Sequence, residues 1–331
     1  MNTHFDNPLV EQRELIAGQR IVVLDDRAVI RVSGTDRLTW LNAMLSQSVA
    51  NLKAGESAEG LLLDAQGRIE HSVHVIENGE STWLIVLAEH SEKLLKWLDM
   101  MIFRSKVSVE EADFSVLGSF GAGLTDLVWR DNWAGEPIGS VRYAQQPGEA
   151  WNFFESLATE AELAQLVEGS KQAGTLALEA LRVAAHRPWQ PNELDDKTLP
   201  HELDWLSSAV HLTKGCYRGQ ESVAKVHNLG HPPRRIVLLH LDGSGHALAE
   251  AGDQVFVSGT ENAVGRITSI GQHFELGPIA LALISRSVDE KAALFVRTEF
   301  GEIAASQETI VPPTAGMAAN LAEKRKNLLG R

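Results

Sequence analysis

Apolar positions recur at two spacings along the chain, and the change from one spacing to the other marks out the elements. Residues 20–24 and 28–32 are β-branched runs on either side of Asp25-Asp26-Arg27, which predicts a hairpin. After Gly34, Thr35 offers an N-cap, and Leu38, Leu41 and Leu45 follow at helical spacing. Strand-like runs come next at 60–63, 69–76 and 83–87, separated by polar, glycine-containing turns at 64–67 and 77–80. Leu94, Leu95 and Leu98 share one face of a helix predicted over 90–101, and strands at 107–109 and 114–117 return from it. Residues 121–158 are rich in Gly and Trp with weak periodicity and receive no assignment. Two helices follow, 161–172 and 175–185, broken at Gly174. Pro188, Pro191 and Pro200 make 187–205 extended or turn-like.

From Arg235 the pattern changes to short apolar runs punctuated by glycine. Five strands are predicted, at 236–241, 254–257, 263–268, 279–284 and 293–296, and their even spacing suggests a small barrel. Mixed order without regular βαβ repetition places the chain in the α+β class. The expected division is an α+β portion over 1–120, a second α/β portion over 121–231, a β-barrel over 232–311 and a flexible basic tail over 312–331.

Composition narrows the classes. The 331 residues are 44% hydrophobic and 22% charged, ordinary for a globular chain. The formal net charge of −14 repels a nucleic-acid backbone, so direct nucleic-acid binding is not expected. A single cysteine excludes an internal disulfide and fits a reducing compartment. Glu11, Arg13 and Glu14 stand where an export signal would need an apolar core, and no apolar run reaches about 18 residues. The expectation is a cytoplasmic protein with no membrane partner.

Candidate chemistry is densest at Lys214-Gly215-Cys216-Tyr217-Arg218-Gly219-Gln220-Glu221. Glycines allow close backbone approach to a ligand, the cations suit carboxylates or phosphates, and Gln220 with Glu221 offers the paired donor and acceptor that a heterocycle edge needs. Cys216 is the candidate thiol, with Lys214 and Arg218 flanking it. The competing reading is a capped turn leading into a helix over 221–229. A basic strip, 214–235, follows an acidic one, 189–204, an arrangement suited to a ligand with a basic ring and an acidic tail, or simply to mutual ion pairs. Trp189 and Trp205 flank the acidic strip as candidate walls. The histidines fit no metal spacing, and no dinucleotide or phosphate-loop fingerprint is present.

The motif Lys214–Glu221 resembles the signature K-G-C-[FY]-x-G-Q-E of the YgfZ branch of the aminomethyltransferase-like (glycine-cleavage T-protein) folate-binding family. Segments 32–36, 63–69, 180–183, 198–202 and 277–281 are similar to family segments, and 227–230 with 232–235 resembles the actinobacterial form. The resemblance implies a T-protein-like multi-domain ring with a central channel and a small C-terminal barrel. It also implies a tetrahydrofolate or a derivative as cofactor, and iron–sulfur enzymes or their assembly factors as partners, with an effect on tRNA modification. It puts Lys214, Gly215, Tyr217, Gly219, Gln220 and Glu221 at a motif site, with Arg182, Trp189, Asp195 and Asp196 (and Glu179) as possible folate contacts. Two departures stand out. T-proteins carry a catalytic aspartate where this chain has Glu70-His71-Ser72, and the glutamate of L-R-[IL]-E-A-G is Ala184 here. A folate-dependent one-carbon transferase acting on a small amine, or a ligand-free interaction module, remains the alternative to an accessory protein.

Overall fold

The computed structural model describes residues 2–145, 148–244 and 248–318. Helix α1 (Pro8–Ile16) starts on Asn7, whose side chain accepts from Leu9 N, with Pro8 in the first turn. There follow β1 (Arg20–Val23), β2 (Arg27–Ser33), α2 (Arg37–Met44), β3 (Ser57–Leu63), β4 (Ile69–Glu77), β5 (Ser81–Leu87), α3 (Ala88–Met100), β6 (Ser108–Ala112) and β7 (Ser115–Phe120). Next are β8 (Val128–Arg130), β9 (Phe153–Ala158), α4 (Glu160–Gly169), β10 (Lys171–Gln172) and α5 (Thr175–Ala184). A 3-10 turn (Pro200–Leu203), α6 (Leu206–Ala209) and α7 (Gln220–Leu229) lead into β11 (Arg234–Leu241). The last strands are β12 (Gln254–Val257), β13 (Ala263–His273), β14 (Gly277–Ser285), β15 (Leu294–Thr298) and β16 (Gly301–Thr309).

Two five-stranded sheets and a closed barrel result, in the orders β3-β4-β5-β2-β6, β10-β1-β7-β9-β8 and β11-β14-β13-β12-β15-β16. The first sheet is covered on both faces, and β5 and the end of β3 read as apolar runs. Leu62, Val73, Val75, Leu84 and Val86 pack under α2 and α3. Leu61, Leu63, Ile76 and Ile85 face a shared core with Trp129 and Phe153 of the second sheet, α5, and Ile236 and Leu238 of the barrel. The contact between α5 and the barrel is a backbone approach: a Cβ on Gly271 would lie 2.6 Å from Ala180 Cα.

The α+β class and the barrel stand; three details differ from the pattern reading. β1 and β2 form no hairpin. Arg27 N–H does close a turn onto Leu24 O at 3.2 Å, but Leu24 N–H then pairs with Val116, and the two strands enter different sheets. The barrel has a sixth strand, β16, whose inward positions are only Ile303 and Ala305, too sparse to register as an apolar run. The unassigned stretch supplies β8 and all of β9, both on the second sheet. The tail at 319–331 and His246 lie outside the described residues. Among the described residues no helix is long and apolar enough to cross a membrane.

Candidate functional site

The motif follows α6 and runs into the first turn of α7. Gly219 has φ +85° and a Cβ there would meet Asp64 O at 2.5 Å, so the turn before α7 lies backbone-on-backbone against the β3–β4 turn. Lys214 Nζ donates to Asn42 O (2.6 Å), Leu45 O (2.7 Å) and Gln47 O (2.8 Å). An ammonium has three protons, and all three hold the carbonyl end of α2. Burial pushes its pKa down to about 8. Tyr217 is buried over that ammonium, 5.2 Å from ring centroid to Nζ, and burial raises its phenol to about 12. Gln220 Nε2 donates to Lys214 O at 3.2 Å. The sequence reading put Lys214, Tyr217 and Gln220 at a ligand edge; the structure commits them to the loop and to α2. Gly215, Cys216 and Glu221 are exposed, and Arg218 Nη1 reaches across to Glu70 Oε2 at 2.7 Å.

The other predicted contacts sit elsewhere. Arg182 is buried, gripped by Glu179 on Nε (2.9 Å) and Nη2 (2.6 Å), by Glu193 (3.1 Å) and by Ser269 Oγ (2.5 Å). Glu193 also accepts from Thr268, Ser269 and the Trp189 N–H; a bulge between Ile267 and Ser269 turns the β13 hydroxyls toward it. Asp195 is paired with Arg234 at 2.5 Å, whose guanidinium holds its carboxyl well below the usual range against the opposing effect of burial. Asp196 is exposed. Trp189 carries the Arg27 guanidinium 3.9 Å over its ring.

Between the two sheets lies a buried charge cluster that the pattern did not reveal. Arg187 donates to Glu59 Oε1 (2.6 Å) and Asp131 Oδ2 (2.8 Å). His74 bonds Glu155 Oε2 at 2.6 Å and stacks on Trp129 at 3.6 Å between ring centroids. Burial works against a charge on His74, but Glu155 and Glu59 outweigh it and raise its pKa to about 9. Glu59 also accepts from Trp205 Nε1 (2.9 Å) and Ser208 Oγ (2.6 Å). No local signal marks these residues, since their partners stand as far as 149 positions apart.

Two hollows meet at Trp189 beside this cluster, and a third lies beyond Gln190. A 360 Å³ cleft is lined by Trp189, Asn192, Asp26, Glu179 and Arg182. Trp189 also borders a 20 Å³ void with Arg27, His74, Arg187 and Gln190. Gln190 accepts from Ser72 N (2.8 Å) and donates to His90 Nδ1 (3.2 Å), and His90 lines a third hollow of 370 Å³ with Glu70, His71 and Arg218. Sequence reasoning named Trp189 and Arg182 but missed Arg27, Asp26, Gln190, His90 and Lys93.

The fold has a solved counterpart. Aminomethyltransferase T of the glycine cleavage system from Bartonella henselae superposes with a TM-score of 0.72 at 20% identity, over 92% of this chain and 88% of that one. A tRNA-modifying protein YgfZ of Aliivibrio fischeri is 25% identical over 88% of this chain and 92% of its own. A putative chloroplastic transferase of Arabidopsis thaliana is 24% identical over 79% of this chain, which spans 65% of that protein's length. A mitochondrial iron–sulfur cluster assembly factor IBA57 homolog of Coccidioides immitis is 27% identical over 66% of this chain, which spans 56% of its length. No family model matches. In sequence the chain is similar to YgfZ and IBA57 proteins, and in fold to the glycine-cleavage T-protein.

Two positions set this YgfZ-like chain apart from the T-protein pattern. Where that pattern has its aspartate stands His71, half-buried, and burial together with His90 and Lys93 lowers its pKa to about 4, so it is neutral at pH 7. The adjacent carboxylate, Glu70, is tied to Arg218. Ala184 is 1% exposed and offers no side-chain acceptor on α5, while Glu179, one turn earlier on that helix, lines the Trp189 cleft.

Proposed function

We propose that the chain binds a tetrahydrofolate or a derivative in the hollows around Trp189 and, so loaded, acts in the cytoplasm as an accessory protein to iron–sulfur enzymes or their assembly factors, and through them in tRNA modification. One observation carries this reading: the 360 Å³ cleft at Trp189, within the roughly 300–1,000 Å³ typical of ligand sites, combines an aromatic face with acceptors. Asp26 Oδ1 is a buried acceptor without a partner, and Glu179 and the Asn192 amide stand in the same wall. A pterin presents a row of N–H donors along one edge and a stacking face; this carboxylate-bearing wall, in which Arg182 already holds Glu179, offers acceptors for that edge. Asp26 and Glu179 would hold the ring edge and Trp189 would face the ring; the folate, when bound, supplies a one-carbon carrier.

The relatives named for tRNA modification and iron–sulfur cluster assembly support the wider role. Transferase chemistry is favoured by less of the site. It needs a free carboxylate beside the folate nitrogen, and neutral His71 and paired Glu70 occupy that place. The test is calorimetric titration with tetrahydrofolate and 5-formyltetrahydrofolate. Micromolar binding that Trp189→Ala weakens about tenfold, roughly 1.4 kcal/mol, supports the reading; absence of heat from folded protein with both ligands overturns it.

A further inference from the structure

We infer that a 560 Å³ hollow at the mouth of the barrel is a separate ligand site, one that takes an amine with an aliphatic body. The hollow lies where β11 ends and β14 and β16 begin, and α1 with the first turn of α5 forms its other wall. Leu241, Ala249 and Ile303 in its lining belong to the barrel core, which therefore floors it. Barrel mouths recur as places for small ligands, and this volume falls within the roughly 300–1,000 Å³ typical of them. It is larger than the 360 Å³ cleft at Trp189, and the two share Leu176 and Ile270 as walls.

The chemistry of the wall decides the class of ligand. Leu9, Leu176, Leu248, Ile270 and Ile303 make it mainly apolar. Leu176 is 49% exposed and Leu248 79%, surface that an aliphatic body would take out of water. Gln12 is buried in the same wall with both ends of its amide spent. Its Nε2 donates to Gln272 O at 2.9 Å, and its Oε1 accepts from Phe274 N at 3.0 Å, so it has nothing to offer a ligand. Asp242 is the only charged side chain among the described residues that line the hollow. It is exposed, accepts from Ser244 N at 2.9 Å through Oδ1, and pairs with no cation among the described residues. Oδ2 is thus left for a ligand. One carboxylate at the rim of an apolar hollow calls for a cationic head on an aliphatic chain. An alkyl carboxylate is repelled there, by Asp242 and by a body of net charge −14. The wall holds no aromatic ring and no second carboxylate, which separates it in chemistry from the Trp189 cleft.

The experiment titrates the full chain, without folate, by calorimetry with heptylamine, heptanol and heptanoate. Heptylamine is expected to bind about threefold more tightly than heptanol, with the gap narrowing as salt rises, and heptanoate more weakly than either. Along the series from butylamine to heptylamine, each added methylene should tighten binding about threefold. Asp242→Asn keeps an acceptor for Ser244 N and should bring the amine level with the alcohol. Leu248→Asn should weaken amine and alcohol alike, by about threefold. Both side chains are exposed, so the variants keep their fold, checked by melting temperature. No heat from heptylamine with folded wild type overturns the site. An amine advantage that survives Asp242→Asn, or heptanoate binding as tightly as heptylamine, overturns the class of ligand and the proposal with it. Affinities that Leu248→Asn leaves unchanged place the ligand elsewhere and overturn it too. None of these results touches the folate reading, whose own titration uses other ligands and Trp189→Ala.

Discussion

The motif loop and the charge cluster around Arg187 distribute chemistry in opposite ways. Lys214–Glu221 is dense in sequence and dispersed in space: Lys214 points into α2, Tyr217 into the core, Arg218 toward β4, and Cys216 into solvent. The cluster is dispersed in sequence, drawing on β3, β4, β9, Asp131 and Arg187, yet its groups lie within hydrogen-bond reach of one another. A run of reactive residue types need not converge in space, because a loop that must be pinned uses cations and glycines for its own architecture. A buried cluster of paired charges is the better guide to where the parts of the molecule meet.

The sharpest way to break the comparison is Arg187→Met. Truncation leaves Glu59 and Asp131 buried without their shared cation, and the expected cost is about 3–5 kcal/mol, read by denaturant unfolding. A loss under about 1 kcal/mol would mean that the cluster is not the keystone its burial implies. If Arg187→Met yields no folded protein, Arg187→Lys, which keeps the charge but loses the fork, should fold with a lower melting temperature.

Gly219→Ala comes next, at about 1–3 kcal/mol, from the left-handed backbone and the clash with Asp64 O. Lys214→Met should cost about 1–3 kcal/mol by leaving three carbonyls at the end of α2 without donors. A fall in folate affinity with no fall in stability would return Lys214 to the ligand edge. His74 gives a pH test. Its pKa is about 9 when folded against about 6.5 when unfolded, so its stabilisation is complete below about 6.5 and lost as pH rises through about 9. The advantage of wild type over His74→Gln should shrink across that window, and an advantage independent of pH would show the ring is not charged. The smallest effect belongs to Cys216→Ser: the exposed side chain should change stability by less than about 0.5 kcal/mol and leave folate binding as it is.

Much of the fold was legible, and for identifiable reasons. The barrel strands and the first sheet are apolar wherever two layers cover them, so their runs show directly. β16 escaped because Gly301 to Thr309 places only Ile303 and Ala305 inward. The false hairpin arose because a good turn at Asp25-Asp26 says nothing about which strands pair beyond it. Of the candidate site, the sequence reading named Trp189 from its place beside the acidic strip, Arg182 through the family resemblance, and the motif by its density of reactive types. It could not disclose Asp26, Gln190 or Lys93, which belong to a turn, a proline-rich segment and a solvated helix face, and meet only after three parts of the chain have packed.

The Glu59–Arg187 bond has a consequence for synthesis. The two residues are 128 positions apart. At about 5–20 residues per second, Glu59 is made roughly 6–25 s before its partner. During that interval the carboxylate has no compensating guanidinium, and the core-facing side of the first sheet cannot close over it in a dry interior. Closure of this face is thus a non-local event, one that the growing chain completes only after residue 187 has cleared the ribosome.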